Sequence, residues 1–339
     1  MKKKLVTAAV GISLSVVGAH ANAWQDPGYA VALIPYVVKD GNRTTLVSII
    51  MGDEVSLPGV GLRLQYWSKP ITSAHTEACQ PNSFAPIQVT QNDMLTFDTA
   101  GILGYPLFGD VTNPAPLGTS IVYSDPRHGY LMVEAPNSDG SGKQSIVGSY
   151  WTEIDFVNGG SIGDRGLNAY SANLQVTASG HRELLPDASG SIVFAAPVVF
   201  WPLSYMDTSF TVTPLGTDML TRENNQTTVQ VYNSNSVQGL YDRNESGIDG
   251  TVPQTVRCVG RLTTAQLMPG VVANAAWAAT GGWGYLTNRG DGNATPGERQ
   301  TNTAQGDLPA VVYQIDQLLR QRGKPRGFTS NATPIVTQH

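Results

Sequence analysis

Beyond residue 23 the chain carries four histidines, His75, His128, His181 and His339. No two of them stand at the spacings of a metal pair such as H-x-H or H-E-x-x-H. A Walker loop is also missing. A Ser-His-Asp set assembled from distant segments is recognised by geometry and not by chain order, but so few imidazoles leave little general-base capacity to build one. His128 stands beside Gly129-Tyr130-Leu131 and reads as a loop-edge histidine rather than a ligand or base. The residue inventory therefore points away from an enzyme.

Oxygen ligands offer a second kind of chemistry. Asp242-Arg243-Asn244-Glu245-Ser246-Gly247 repeats the first half of a calcium loop. Oxygen side chains at alternate positions (Asp242, Asn244, Ser246) can converge on one hard cation while a glycine lets the chain double back. The closing bidentate acid is absent, since Pro253 holds the twelfth position. Asn137 to Gly142 has a similar shape, and Asp291-Gly292-Asn293 is a weaker relative. Asn, Asp, Ser and Gly are also what ordinary turns are made of, so a polar turn is the competing reading at each loop. Calcium is the only cofactor that the sequence suggests.

Cysteine chemistry is confined to Cys79 and Cys258. In an oxidising compartment such a pair can be bridged, and an intramolecular bridge is the leading reading. Free thiols, or a bridge between chains, are the alternatives. Aromatic clusters at Tyr66-Trp67, Tyr150-Trp151, Phe200-Trp201 and Trp283-Gly284-Tyr285 could stack on sugars. Aromatic residues in strands more often fill cores or cross-strand pairs.

The elements that must position these groups read as strands. Gly 36 and Pro 21, with only 14% charged residues, favour short strands joined by turns. Residues 29–38, 44–50 and 61–67 are β-branched or aromatic and are set between turn signals such as Asp40-Gly41-Asn42. Leu62, Leu64 and Tyr66 alternate with Arg63, Gln65 and Trp67, as a half-buried strand requires. Further strands are expected around residues 121–123, 130–134, 145–157, 172–178, 191–200, 209–214, 227–232, 256–259 and 283–287. One segment departs from this pattern. Val311, Ile315, Leu318 and Leu319 recur at helical spacing before Gly323 and Pro325, so a short C-terminal helix over 308–322 is preferred to a strand beginning at Ala310.

A weak internal echo runs through the chain. Thr44-Thr45 and Thr227-Thr228 each open a strand, and each half has a single cysteine followed by a Thr-containing segment (88–97 and 261–268). Gly129-Tyr130-Leu131 and Gly284-Tyr285-Leu286 then complete the order. Such self-similarity is what tandem copies of one β-domain would leave. The expected architecture is all-β, with two tandem β-sandwich-like domains over 24–190 and 191–327 and a patternless, mobile tail over 328–339.

Lys2-Lys3-Lys4, the apolar run from Leu5 to Val17 and Ala21-Asn22-Ala23 form the three parts of a secretory signal peptide, 1–23. The apolar run falls short of the ~20 residues that a spanning helix needs. Losing three lysines moves the formal charge from −5 to −8. An acidic chain with no basic run is a poor partner for nucleic acid or anionic lipid. Five Asn-x-Ser/Thr sites, at Asn42, Asn225, Asn244, Asn293 and Asn331, would matter only in a eukaryotic secretory path.

Leu33-Ile34-Pro35-Tyr36, Gly41-Asn42, Thr45 to Ile50, Ala78-Cys79-Gln80-Pro81, Asn92 to Asp98 and Gly129-Tyr130-Leu131 resemble a group of uncharacterised exported, hypothetical cell-surface proteins of Gram-negative bacteria. The resemblance covers mainly 30–165. It implies export and a β-architecture, and no functional residues come with it. The expectation is a secreted, periplasmic or cell-surface structural protein that self-associates and has no catalytic activity. The alternative is a binding module for glycans or a partner protein.

Overall fold

The computed structural model of the chain describes residues 31–52, 61–84, 87–103, 125–134, 146–157, 161–165, 167–168, 174–176, 182–184, 191–193, 195–214, 226–232, 239–287, 299–301, 310–318 and 333–334. The fold is all-β, with antiparallel sheets and three short helices among these residues. The signal segment 1–23 and the expected strand at 121–123 lie outside the described residues.

Four larger sheets fall into two pairs along the chain. In the first pair, one sheet runs in the order Leu167–Asn168, Val31–Lys39, Arg127–Glu134, Gly61–Pro70, Gln80–Ser83. The other runs Met94–Asp98, Arg43–Met51, Ile146–Asp155, Ser161–Arg165. In the second pair, Gly282–Thr287 lies between Ala195–Phe200 on one side and Gln226–Tyr232 and Gly239–Asp242 on the other, and Gln254–Arg257 pairs with Gln226–Tyr232. The remaining sheet runs Gly260–Thr263, Met206–Pro214, Ala310–Leu318, Thr333–Pro334.

The two pairs share one connectivity. Taken in chain order, the strands starting at Val31, Arg43, Gly61, Gln80, Met94, Arg127, Ile146 and Ser161 pair as do those starting at Ala195, Met206, Gln226, Gln254, Gly260, Gly282, Ala310 and Thr333. Gly129-Tyr130-Leu131 and Gly284-Tyr285-Leu286 fall on the sixth strand of each set, as the echo requires. Thr44-Thr45 and Thr227-Thr228 do not correspond, because the first lies on a second strand and the other on a third. A Thr-Thr followed by alternating apolar residues suits any half-buried strand, so it carries no register.

The first core draws on both sheets of its pair. Leu33, Val37, Leu64, Leu131 and Val133 come from one, and Val47, Ile49, Leu95, Phe97 and Trp151 from the other. The second core gathers Val198, Phe200, Phe210, Val212, Val229, Val231, Leu240, Leu262, Trp277 and Leu286. The sheet built on Met206–Pro214 and Ala310–Leu318 contributes to both. Val311 and Tyr313 join the first core, whereas Ala310 and Val312 join the second.

That placement explains the correction at the C-terminal end. Residues 310–318 form a strand, Ala310–Leu318, paired with Met206–Pro214 from Met206↔Leu318 to Pro214↔Ala310. A strand covered on both faces loses its polar/apolar alternation, and the surviving apolar spacing imitates a helix. The tail adds Thr333–Pro334 at the edge of this strand, opposite Gln314 and Tyr313. The helices lie instead at Thr264–Leu267, Pro269–Val272 and Ala275–Thr280. Thr263 and Gln266 form a reciprocal capping box, and Asn274 accepts hydrogen bonds from Ala276 and Trp277. The Thr-x-x-Gln signal for the first was present in the sequence.

Gly129 sits in the strand between Val31–Lys39 and Gly61–Pro70, opposite both Val37 and Ser68. A β-carbon there would fall onto the Trp67 carbonyl oxygen and the Ser68 backbone. Gly129→Ala should therefore lower stability by about 2–3 kcal/mol. Chemical denaturation of the purified variant would measure this, and an unchanged midpoint would contradict the packing.

Candidate functional site

The polar chemistry of the molecule concentrates where the two pairs of sheets meet. Cys79 and Cys258 are bonded there across 179 residues of sequence, with Cα atoms 5.9 Å apart, and both are buried. The intramolecular reading of the cysteines is thus the one the structure holds. Cys79 directly precedes the Gln80–Ser83 strand, and Cys258 directly follows Gln254–Arg257. Cys258 has a positive φ of 65°, a left-handed backbone unfavourable to a side chain.

Lys69 reinforces this junction. Its buried Nζ donates to the carbonyls of His75 (2.9 Å), Glu77 (3.0 Å), Arg257 (3.0 Å) and Ala74 (3.3 Å). An ammonium has three protons, so two of the four carbonyls share one. Burial pushes the Lys69 pKa down to about 8, against the pull of Glu77. The Arg257 N–H donates to the His75 carbonyl at 2.8 Å, and His75 Nε2 lies 3.0 Å from Gln266 Nε2.

A second polar group lies along the seam. Glu153, on Ile146–Asp155, is only 1% exposed. Its Oε1 faces Arg261 Nη1 at 3.4 Å and Arg43 Nη1 at 3.7 Å, one guanidinium from each half of the chain. Its Oε2 is buried without a hydrogen-bond partner among the described residues. Arg43 is also held by Asp40 at 2.8 Å, and Arg261 Nε donates to Ser209 Oγ at 3.1 Å. Burial first, and then the negative charge of Glu153, raise the pKa of the Tyr36 phenol, with Arg261 and Arg43 opposing. Nearby, the Thr213 hydroxyl donates to the Pro35 carbonyl, and Trp151 meets Tyr313 edge-on at 5.3 Å.

Above these groups opens a cleft of about 410 Å³. Asp40, Asn42, Arg43 and Asp155 border it from one half, and Asp207, Ser209, Arg261 and Gln317 from the other. Burial raises the Asp207 pKa, and Arg261 partly offsets this. Among the described residues no three His, Cys, Asp or Glu side chains converge closely enough to hold a metal ion.

The calcium-like loop lies elsewhere. Asp242, Asn244 and Ser246 form the turn between Gly239–Asp242 and Gly247–Asp249. Asp242 Oδ1 accepts from the N–H groups of Asn244 (2.8 Å) and Ser246 (2.9 Å), as a turn-forming aspartate does. The loops at 137–142 and 291–293 lie outside the described residues.

The described histidines are likewise absorbed into packing. His128 is buried, edge-on to Tyr36 at 6.2 Å. Its pKa falls to about 3 through burial and then through the positive charges of Lys69, His75, Arg43 and Arg261. Residues 159–163 have the letters of a serine-hydrolase nucleophile elbow, Gly-x-Ser-x-Gly. That motif needs its serine between a strand and a helix, whereas Ser161 opens the strand Ser161–Arg165 and pairs with Ile154.

The aromatic clusters divide between core and surface. Tyr66 and Trp67 are both buried. Trp151 and Phe200 point inward, while their neighbours Tyr150 and Trp201 are exposed, at 38% and 45%. Trp283 stands between Tyr241 and Tyr285, with ring centroids 5.0 and 5.6 Å away. By register, Val199, Trp283 and Tyr241 share the outer face of their sheet. Alternation along the strand did not reveal this ladder, because it required knowing that Gly239–Asp242 pairs beside Trp283.

The chain matches no protein family, no curated protein and no solved structure.

Reduction of Cys79–Cys258 should lower the melting temperature of the purified chain without changing its mass. A long closed loop contributes about 4 kcal/mol in the chain-entropy account. Free-thiol titration of non-reduced protein should find none, and two titratable thiols would contradict the bridge.

His128 sets an acid limit. Its folded pKa of about 3 lies below the unfolded value of about 6.5. The stability that depends on its neutral form is therefore complete above pH ~6.5 and is lost as pH falls toward ~3, a span on the order of 5 kcal/mol. Denaturation measured across this range should show the loss. His128→Phe should flatten the curve between pH ~6.5 and ~4, and an unchanged slope would refute the assignment.

Proposed function

We propose that the protein is an exported, non-catalytic structural protein of the cell surface or extracellular space. In this reading it is built from two tandem β-sandwich-like domains and assembles with copies of itself. The observation that carries the reading is the apolar character of outer sheet faces in both halves. Met94 and Tyr150 are exposed on the outer side of the first four-stranded sheet, aligned through Ile50 and Ser48. Val199 is exposed beside the Tyr241–Trp283–Tyr285 ladder on the second half. Open apolar faces of this kind are what associating surfaces use. The repeated connectivity supports tandem domains. The cysteine bridge agrees with an oxidising, non-cytoplasmic setting, and the resemblance to exported Gram-negative proteins points the same way.

The aromatic ladder also favours a second reading, a binding module for glycans or a partner protein. Half-buried rings on an outer sheet face can still present an edge or face to sugar rings or to a partner's side chains. Light scattering on the size-excluded mature chain separates the two. Large or open-ended assemblies that Tyr150→Ser and Met94→Ser disperse would support assembly. A monomer at all concentrations would reject it and shift the weight to binding.

A further inference from the structure

The loop that joins Gly61–Pro70 to Gln80–Ser83 belongs to the first half of the chain, yet its middle lies against the second. His75 makes the contact. Its carbonyl accepts from the Arg257 N–H at 2.8 Å and from the Lys69 ammonium at 2.9 Å. Its ring packs on Gly260, where a β-carbon would come within 3.1 Å of Nδ1 and would also press on the Val256 side chain. On the other side of the ring, Nε2 lies 3.0 Å from Gln266 Nε2, 191 positions away in the chain, on the helix Thr264–Leu267.

The capping of that helix decides which way the Gln266 amide points. Gln266 Oε1 accepts from the Thr263 N–H at 2.8 Å and from the Thr263 hydroxyl at 3.1 Å. A backbone N–H requires an acceptor, so the amide is held with its oxygen toward Thr263 and its amino group toward the imidazole. His75 Nε2 must then be the acceptor, and the ring proton sits on Nδ1. That nitrogen is buried and has no hydrogen-bond partner among the described residues. The contact between the halves therefore requires one neutral tautomer of His75. A proton added at Nε2 sets N–H against N–H and removes the bond to the helix. A Gln266 oxygen in that place would favour the imidazolium instead, but the oxygen is committed to Thr263.

The surrounding charges act in the same direction. Burial and then the Lys69 ammonium lower the His75 pKa. Arg257, bonded to the His75 carbonyl, is a second cation, supplied by the other half. His128, on Arg127–Glu134, is neutral, and its own protonation is opposed by His75. Glu77, the carboxylate of the loop, is exposed, accepts from the Ala74 N–H and acts on Lys69. Thr263 and Gln266 bring no charge.

We propose that His75 is an acid-sensitive latch between the two halves: protonation at Nε2 releases the loop around residues 74–77 from the helix Thr264–Leu267, while Cys79–Cys258 keeps the halves tethered. The folded pKa lies below the unfolded value of about 6.5, so the contact is complete above that pH and is lost as pH falls through the folded value. The latch does not depend on whether the chain assembles with copies of itself.

Nuclear magnetic resonance of the mature, oxidised chain between pH ~7.5 and ~5 tests this across the range in which histidines titrate. The ring should carry its proton on Nδ1 at the upper end. As His75 titrates, hydrogen exchange at the Arg257 amide, corrected for intrinsic rates, should rise about threefold or more, the loss of one neutral hydrogen bond. His128 takes up its proton in the folded chain only toward about 3, so it does not produce this response. Gln266→Glu should reverse it. Glutamate caps a helix at this position as glutamine does, and its carboxylate accepts from the imidazolium, which raises the His75 pKa above its ordinary value of about 6.5. The Arg257 amide of this variant should be better protected at acid pH than at neutral pH. His75→Gln, which cannot titrate, should leave exchange at Arg257 flat across the range. The proposal is overturned by a ring proton on Nε2, by Arg257 exchange that does not follow His75, or by the same acid response in either variant.

Discussion

Polar groups withdrawn from water must find partners inside the protein, and the seam between the two halves depends on that constraint. Lys69, Glu153, Arg43, Arg261 and His128 come together where the sheets meet. Lys69 meets the requirement with four backbone carbonyls, which fastens the segment around His75 to Arg257. Glu153 meets it with one arginine from each half. Each arrangement is stable only while both halves are in place, since removing one partner leaves a buried charge uncompensated. The disulfide between Cys79 and Cys258 then limits how far the halves can separate. The rest of the architecture follows, including a central sheet that is covered on both faces.

This organisation bears on function through what it leaves open. Charge and hydrogen bonding are directed inward, holding the halves together, while the surface exposes Tyr150 and Trp201 and the Tyr241–Trp283–Tyr285 ladder is half-buried. His128, which from sequence reads as a loop-edge histidine, lies instead inside the strand Arg127–Glu134 and is held neutral by burial and by the surrounding cations. Its environment suits packing against Tyr36. Asp242 is similarly engaged by its own turn. An exception is the buried Oε2 of Glu153, which has no hydrogen-bond partner among the described residues.

Much of the strand pattern was legible in the residues. Segments such as 44–50, 61–67 and 283–287 alternate or are β-branched between turn signals, and these are local properties. The seam was not legible. Arg43 and Arg261 stand 218 positions apart in the chain, and nothing near either one marks it as a partner of Glu153. The Tyr241–Trp283 contact likewise depends on strand order, which many pairings of short strands would satisfy equally well. The echo was read in the wrong register at Thr44 and Thr227 for the same reason. The glycine-containing sixth strand was read correctly, because a close backbone approach restricts which residue can stand there.

The sequence by itself determined the β-class, the turns, and that two cysteines were available to pair. These follow from side-chain branching, backbone freedom and composition, which act over a few residues. Only the tertiary structure decided that Ala310–Leu318 is a strand, that Cys79 reaches Cys258, and that two arginines share one buried glutamate. The physical reason is burial. Whether one face of a strand or both are covered, and which charges lose their water together, depends on neighbours that are distant in the chain. Helical and two-faced strand spacing then look alike until those neighbours are in place.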